Sequence, residues 1–370
     1  MKAFITKELY QKGKKAFFTT GLLKWNQKTN KRLMPWKGEK DPYKIWLSEI
    51  ILQQTRVEQG WAYYEKFVKA FPTIKKLAKA DDEKVFKLWE GLGYYSRCKN
   101  LLATARKIST DFNGIFPNTY EEIVKLKGVG PYTASAIASF AYNLPHAVVD
   151  GNVMRVLSRY FGIDKPIDST IGKKLFQQTA TDCLPQKEAG IYNQAIMDFG
   201  AVLCKPQNPL CSKCPLKKNC IAFTKELIEV LPVKEKKIKK KERWFYYLVI
   251  SLDKKTYIRK REEKDIWQNL FEYVAIEISR EIDATSFIKC GHFKKITGKV
   301  KHEVVGTSGW YKQMLSHQTI NGRFISIKIK KPLPALKSFL LASSDEIKKL
   351  PFPRLINNWH EDRNKIGGLF

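Results

Sequence analysis

Leu126-Lys-Gly-Val-Gly-Pro-Tyr-Thr-Ala134 lies between two stretches of helical text, and its reading decides the fold of the first half of the chain. Gly128 and Gly130 permit a tight hairpin whose amides can point at a phosphate, and Pro131 suits the first turn of the next helix. The predicted element is two helices joined by a hairpin. A G-x-G between helices is more often only a turn, so the phosphate reading leans on its surroundings. Outward from it, between Leu9 and about Thr224, apolar residues recur at three and four residues. Helix-start signals stand at Asp41-Pro42 and at Thr119-Tyr-Glu-Glu122. The expectation is an all-α domain over residues 1–225.

The charge supplies a partner for the hairpin. Among 370 residues, 67 Lys and Arg stand against 36 Asp and Glu, a formal charge of +31. Such a field attracts a polyanion, and nucleic acid is the favoured partner. An anionic membrane surface competes, but no apolar run approaches the length of a spanning helix. The start, MKAFITKELYQKGKK, is basic without an apolar core or a cleavage site, so an intracellular, cytoplasmic setting is expected. A chain of this length is expected to bury two cores.

The text changes at the Lys-rich LPVKEKKIKKKER, and residues 226–243 are expected to be a solvated basic linker. Beyond it, over 244–370, WFYYLVISLDKKTYIRKR and SHQTINGRFISIKIKK read as strands of a β-rich domain with a few helices. Asn321-Gly322 is a strong signal for a two-residue hairpin.

Cys204, Cys211, Cys214 and Cys220 give C-x6-C-x2-C-x5-C, close enough in sequence for four thiolates to surround one inorganic centre. Zinc is the rival occupant, although four-cysteine zinc sites more often pair two C-x2-C knuckles, and the spacing alone leaves the choice open. Cys98, Cys183 and Cys290 stand apart and read as ordinary thiols.

Two carboxylates have contrasting surroundings. On the helix starting near Asp41, the neighbours of Glu49 at three and four residues are Ile45, Trp46, Leu52 and Gln53. A carboxyl there is desolvated and its pKa raised, as a general acid at neutral pH requires. Asp150 follows Ala147-Val-Val149 and opens Asp150-Gly-Asn152 before a helix, where amide donors and the helix dipole favour the ionised form. Each residue alone reads more simply as a helix-face glutamate or a capping aspartate. The pairing makes catalysis competitive.

Six stretches carry a resemblance: Leu33-Met-Pro-Trp36, Asp41 to Arg56, Trp89-Glu-Gly-Leu-Gly-Tyr-Tyr-Ser-Arg97, the hairpin, Val149-Asp-Gly-Asn-Val-Met-Arg155 and Tyr192-Asn-Gln-Ala-Ile-Met-Asp-Phe-Gly200. Together they resemble the MutY family of adenine DNA glycosylases, and the likeness runs along the chain. It implies a multidomain α then α+β fold, with a helix-hairpin-helix glycosylase domain carrying an iron-sulfur loop, followed by a Nudix-like domain. By that resemblance the four cysteines hold a [4Fe-4S] cluster, Glu49 is the general acid and Asp150 the essential aspartate. The pocket positions fall on Arg32, Trp36, Tyr132, Asn152 and Gln194. Gln54, Leu92 and Tyr94 match residues that enter the base stack, and Gly128 and Gly130 hold the DNA backbone.

The C-terminal likeness rests on Tyr257-Ile-Arg-Lys-Arg261 and Trp267-Gln-Asn-Leu-Phe-Glu272. It implies a lesion-sensing domain that hydrolyses no nucleotide, since a Glu-rich hydrolase box is absent. The family's Phe-Ser-His loop falls on Leu315-Ser316-His317, where leucine packs but does not stack as an aromatic does. The implied substrate is double-stranded DNA holding adenine opposite 8-oxoguanine or guanine, acted on by a monomer. The nearer alternative is an endonuclease III-like glycosylase/AP lyase, which uses a lysine after the hairpin where this chain has Tyr132. A non-catalytic damage-binding protein is the further one.

Overall fold

The computed structural model describes residues 2–235 and 240–365, with side chains from residue 13 onward. Residues 236–239, inside the expected linker, lie outside the described residues. The contacts divide the chain into two units, Met1–Lys79 with Asn100–Lys237, and Ala80–Lys99 with Ile238–Phe370. This division differs from one linear break, because residues 80–99 group with the C-terminal sheet. Four side-chain contacts help hold them there: Lys87 Nζ donates to the Leu350 carbonyl at 3.0 Å, the Phe352 amide to Glu90 Oε1 at 2.8 Å, Lys99 Nζ to Gln268 Oε1 at 3.2 Å, and Lys260 pairs with Glu83 at 3.3 Å.

Every regular element among the described residues of the first unit is a helix. Its principal helices include Lys2–Lys28, Pro42–Leu52, Val57–Ala70, Pro131–Tyr142, Gly151–Phe161, Thr170–Cys183 and Ala189–Val202. The start signals work as read: Asp41 caps Pro42–Leu52 by accepting from the Tyr43 amide at 2.9 Å, and Thr119 accepts from Glu122. A core of Phe18, Leu22, Val156, Phe176, Tyr192 and Phe199 gathers four of these helices, burying their apolar faces where propensity alone would not hold them. No described helix is long and apolar enough to cross a membrane.

The second unit carries an eight-stranded sheet: β1 (Lys241–Leu252), β2 (Lys255–Lys260), β3 (Phe271–Glu272), β4 (Val274–Ile278), β5 (His302–Thr307), β6 (Tyr311–Met314), β7 (Gln318–Ile329) and β8 (Leu340–Ser343). The main path runs β3-β2-β1-β7-β5, with β4 on β1, β6 on β7 and β8 on β2. β1 and β7 pair in parallel from Lys241↔Gln318 to Leu252↔Ile329. β1 is buried continuously from Phe245 to Ile250, as expected of a central strand covered on both faces.

The hairpin expected at Asn321-Gly322 is not there. Both residues lie inside β7, paired with Trp244 and Phe245. Glycine serves close packing instead, because a Cβ on Gly322 would lie 2.5 Å from Leu355 Cδ2. The turn into β7 comes earlier, where the Leu315 amide donates to the Gln318 carbonyl at 2.8 Å.

Candidate active site

The first unit assembles most of the expected pocket. Glu49, on Pro42–Leu52, is 5% exposed. Burial pushes its carboxyl up to about 7, the Tyr132 hydroxyl bonded to it pulls the other way, and the nearby Asp150 charge adds to the rise. Tyr132 follows Pro131 in the first turn of the helix behind the hairpin, and burial beside Glu49 raises its phenol well above the usual range. A glutamic acid poised near neutrality, touching a phenol that keeps its proton, is equipped to give a proton to a bound base.

Asp150 caps Gly151–Phe161, with Oδ1 accepting from the Val153 amide at 2.7 Å and Oδ2 from Asn152 Nδ2 at 2.8 Å. The expected donors are present, yet its pKa lies above the ordinary value, because burial outweighs the bonds from Val153 and Asn152. The cap and dipole were legible from sequence, but the depth of burial was not. Asn152 is held in turn by Arg155, whose Nη2 donates to Asn152 Oδ1 at 2.9 Å and to the Gly200 carbonyl at 2.8 Å. Arg155 Nε donates to the Cys204 carbonyl at 2.7 Å, so one guanidinium ties the cysteine loop to the residue beside Asp150.

The wall of the pocket is organised by a residue that sequence reading missed. Asp198, with no solvent exposure, accepts from Asn30 at 2.8 Å, Arg32 at 2.9 Å, Lys37 at 2.9 Å and Gln194 at 3.0 Å. Its signal lay in the quoted stretch 192–200, one turn beyond Gln194. Trp36 is buried and packs edge-on against Tyr64 at 5.3 Å. Trp36, Lys37, Glu49, Phe140 and Gln194 line one pocket of about 680 Å³ of empty space, including its open mouth.

At the hairpin Gly128 takes φ +78, the left-handed region where an added Cβ would also strike Asn100. Gly130 has an ordinary φ of −90 and caps Pro131–Tyr142 with open space where a side chain would be. A helix start approached by bare backbone suits an anionic group.

Cys204, Cys211, Cys214 and Cys220 are free thiols lining one cavity with Val156, Phe199 and Leu216. Among the described residues, no three Cys, His, Asp or Glu are grouped tightly enough for a single metal ion. Arg159 borders the cavity, with Nη1 3.6 Å from Cys204 Sγ.

The remaining expected contacts are not among the residues lining this pocket. Gln54 is exposed in the first unit, and its φ of 57 is left-handed, an uncommon state for a side chain with a Cβ. Tyr94 in the second unit shares that geometry, with φ 48 and 37% exposure. Leu92 is 5% exposed, so it is packed rather than presented as a stacking residue would be. Ser316 and His317 are exposed in the turn before β7, with Ser316 Oγ 3.1 Å from His317 Nδ1. His317, Leu315, Tyr94, Trp267 and Asn269 line one groove of about 920 Å³ within the second unit. Trp267 and Asn269 are also left-handed, with φ of 64 and 71.

Comparison with known proteins agrees with the geometry. The profile of the HhH-GPD superfamily base excision DNA repair proteins matches residues 47–180. An adenine DNA glycosylase of Buchnera aphidicola subsp. Baizongia pistaciae (strain Bp) is 38% identical over 307 residues, covering 82% of this chain and 84% of that protein. The chain belongs to the adenine DNA glycosylase family. The human adenine DNA glycosylase is 41% identical over 214 residues, 55% of this chain and 39% of the human protein. Among solved structures, a thermostable thymine-DNA glycosylase superposes with a TM-score of 0.54 at 30% identity, covering 58% of this chain and 98% of that one. This adenine DNA glycosylase family member is thus a base excision repair enzyme with a helix-hairpin-helix domain and a sheet-rich C-terminal unit.

Proposed function

We propose that the enzyme hydrolyses the N-glycosidic bond of adenine mispaired with 8-oxoguanine or guanine in duplex DNA. The observation that carries the reading is Glu49, which lines the pocket with its carboxyl buried, bonded to Tyr132, near the Asp150 charge and raised to about 7. A base inside the stack is out of reach, so adenine is flipped into that pocket. Glu49 protonates adenine at N7, and the leaving group departs neutral. Asp150 in its ionised form stabilises the oxocarbenium-like sugar or traps it covalently. Water then adds to the sugar carbon, displacing Asp150 where it has bonded there, and passes its proton to the Glu49 carboxylate, leaving an abasic site and restoring the acid. Asn152 and Arg155 hold Asp150 in place, and Arg32, Trp36 and Gln194 contact the base.

Outside the pocket, Gly128 and Gly130 bind the DNA backbone, Gln54 and Tyr94 engage the stack with Leu92 packed behind as support, and Ser316 and His317 read the lesion. The four thiols round one cavity, with the spacing the family resemblance assigns to a [4Fe-4S] cluster, support that occupant. Such a cluster would be a structural and DNA-positioning element on Cys204, Cys211, Cys214 and Cys220. We take residues 1–225 as the catalytic domain and the protein as an intracellular monomer. A borohydride-trappable Schiff base needs an amine, which Tyr132 lacks, so the enzyme acts without strand cleavage. The test is base release from adenine duplexes, read with and without alkali. Alkali-dependent nicks are expected. Nicking without alkali, at the rate of base release and trapped by borohydride, would overturn the assignment in favour of a lyase.

A further inference from the structure

We infer that Asp198 is a specificity-determining positioning residue: it fixes which end of the Gln194 amide looks into the base pocket. The inference rests on the reading of this pocket as an adenine site. A glutamine amide has a donor end and an acceptor end of nearly equal shape, and its surroundings decide which way it points. Here the decision is forced. Asp198 carries two cations, Arg32 at 2.9 Å on Oδ1 and Lys37 at 2.9 Å on Oδ2. With a cation donating to each of its oxygens the carboxylate serves as acceptor, so the contact from Gln194 at 3.0 Å is made by Nε2.

The acceptor Oε1 is then the free end, and it takes no hydrogen bond from the described residues. Gln194 lines the same pocket as Trp36 and Glu49. An acceptor there matches the exocyclic amine of adenine and opposes the carbonyl of a 6-oxopurine. Asp198 thereby turns a symmetric side chain into a polarity filter without touching the base. Its two further roles make it hard to replace. Lys37 Nζ also donates to the Arg32 carbonyl at 2.9 Å, and Asn30 donates to both Asp198 and Asn26, so the segment 30–37 is fastened to the Gln194 helix through this one carboxylate.

The test compares single-turnover release of adenine and of hypoxanthine placed opposite the same 8-oxoguanine. The ratio of the two rates cancels the fraction of folded enzyme, and comparison with wild type cancels intrinsic leaving-group differences. Asp198→Asn accepts less well and frees the Gln194 amide to turn, so the adenine-to-hypoxanthine ratio should fall about tenfold, the value of one hydrogen bond. Asp198→Glu, which keeps the acceptor, should recover most of the ratio. Gln194→Leu should lower the ratio by a similar factor, and adding Asp198→Asn to it should lower it no further.

A purely structural Asp198 would slow both substrates alike and leave the ratio unchanged, which overturns the inference. If Asp198→Asn does not fold, Gln194→Leu decides alone, and an unchanged ratio there overturns it as well. Wild type releasing no adenine from any duplex would be the failure of the adenine reading itself.

Discussion

The catalytic pocket of the helical unit and the groove of the sheet unit are built on opposite terms. In the first, every charged group is engaged: Glu49 is buried, Asp150 holds two donors and Asp198 four. In the second, Ser316 and His317 are exposed, and Tyr94, Trp267 and Asn269 sit in left-handed backbone without glycine. Burial shifts pKa values and strengthens electrostatic interactions, which suits chemistry. Exposure leaves polar groups available to an arriving surface, which suits recognition, and uncommon backbone states collect where a ligand is gripped. If the two regions divide labour in this way, substitutions in one should change rate and in the other discrimination.

The largest effect should come from Glu49→Gln, which keeps shape and removes the proton. Adenine release should fall by about a hundred- to ten-thousandfold, while affinity for the mismatched duplex stays nearly constant. Equal losses of binding and turnover would make Glu49 structural and erase the contrast. In the wild type, single-turnover excision should decline tenfold per pH unit above about 7, as the acid loses its proton.

Stability carries the same signature with a definite sign. Folded Glu49 holds its proton more tightly than unfolded Glu49, so its contribution is complete below about 4.5 and lost as the pH rises through about 7. Glu49→Gln should therefore be more stable than wild type at pH 8, by about 3 kcal/mol at most, and the gap should close in acid. Urea unfolding at the two pH values measures it.

In the groove, Ser316→Ala with His317→Ala should cut the preference for 8-oxoguanine over guanine by about ten- to a hundredfold, the value of two neutral hydrogen bonds. Adenine excision itself should change less, because the base pocket belongs to the other unit. Lesion affinity and single-turnover rates on both duplexes decide this. An unchanged preference ratio would move lesion sensing away from the turn before β7.

What the sequence disclosed follows the same division. Helix starts at Asp41 and Thr119 and the desolvated face around Glu49 were legible because they depend on residues three and four apart. The Asn321-Gly322 signal failed because a long-range contact, Leu355 against Gly322, set the need for glycine. The net rise at Asp150 and the hub at Asp198 escaped for a related reason. Each depends on burial by segments far away in the chain, and no local pattern reports depth. The grouping of 80–99 with the sheet is a third case of distant contacts deciding the outcome.

The smallest effect sharpens the comparison by adding one methyl group to each region. Gly200 packs so closely behind the catalytic helix that a Cβ would lie 2.7 Å from Asn152 Cβ and 3.1 Å from its carbonyl oxygen. The second obstacle is backbone and cannot swing aside, so Gly200→Ala must push Asn152 or the helix Gly151–Phe161 away. Overpacking of this kind costs about 1–3 kcal/mol. Because Asn152 Nδ2 is 2.8 Å from Asp150, part of that displacement reaches the carboxylate, and excision should slow along with the loss of stability. Gly309, in the sheet unit, has open space around its would-be Cβ and no left-handed φ. Gly309→Ala should leave unfolding, excision and lesion preference within about 0.5 kcal/mol of wild type. Should Gly200→Ala prove equally silent, the pocket is less tightly packed than Asp150 and Asn152 require, and the contrast between a rigid chemical site and an open reading surface would have to be given up.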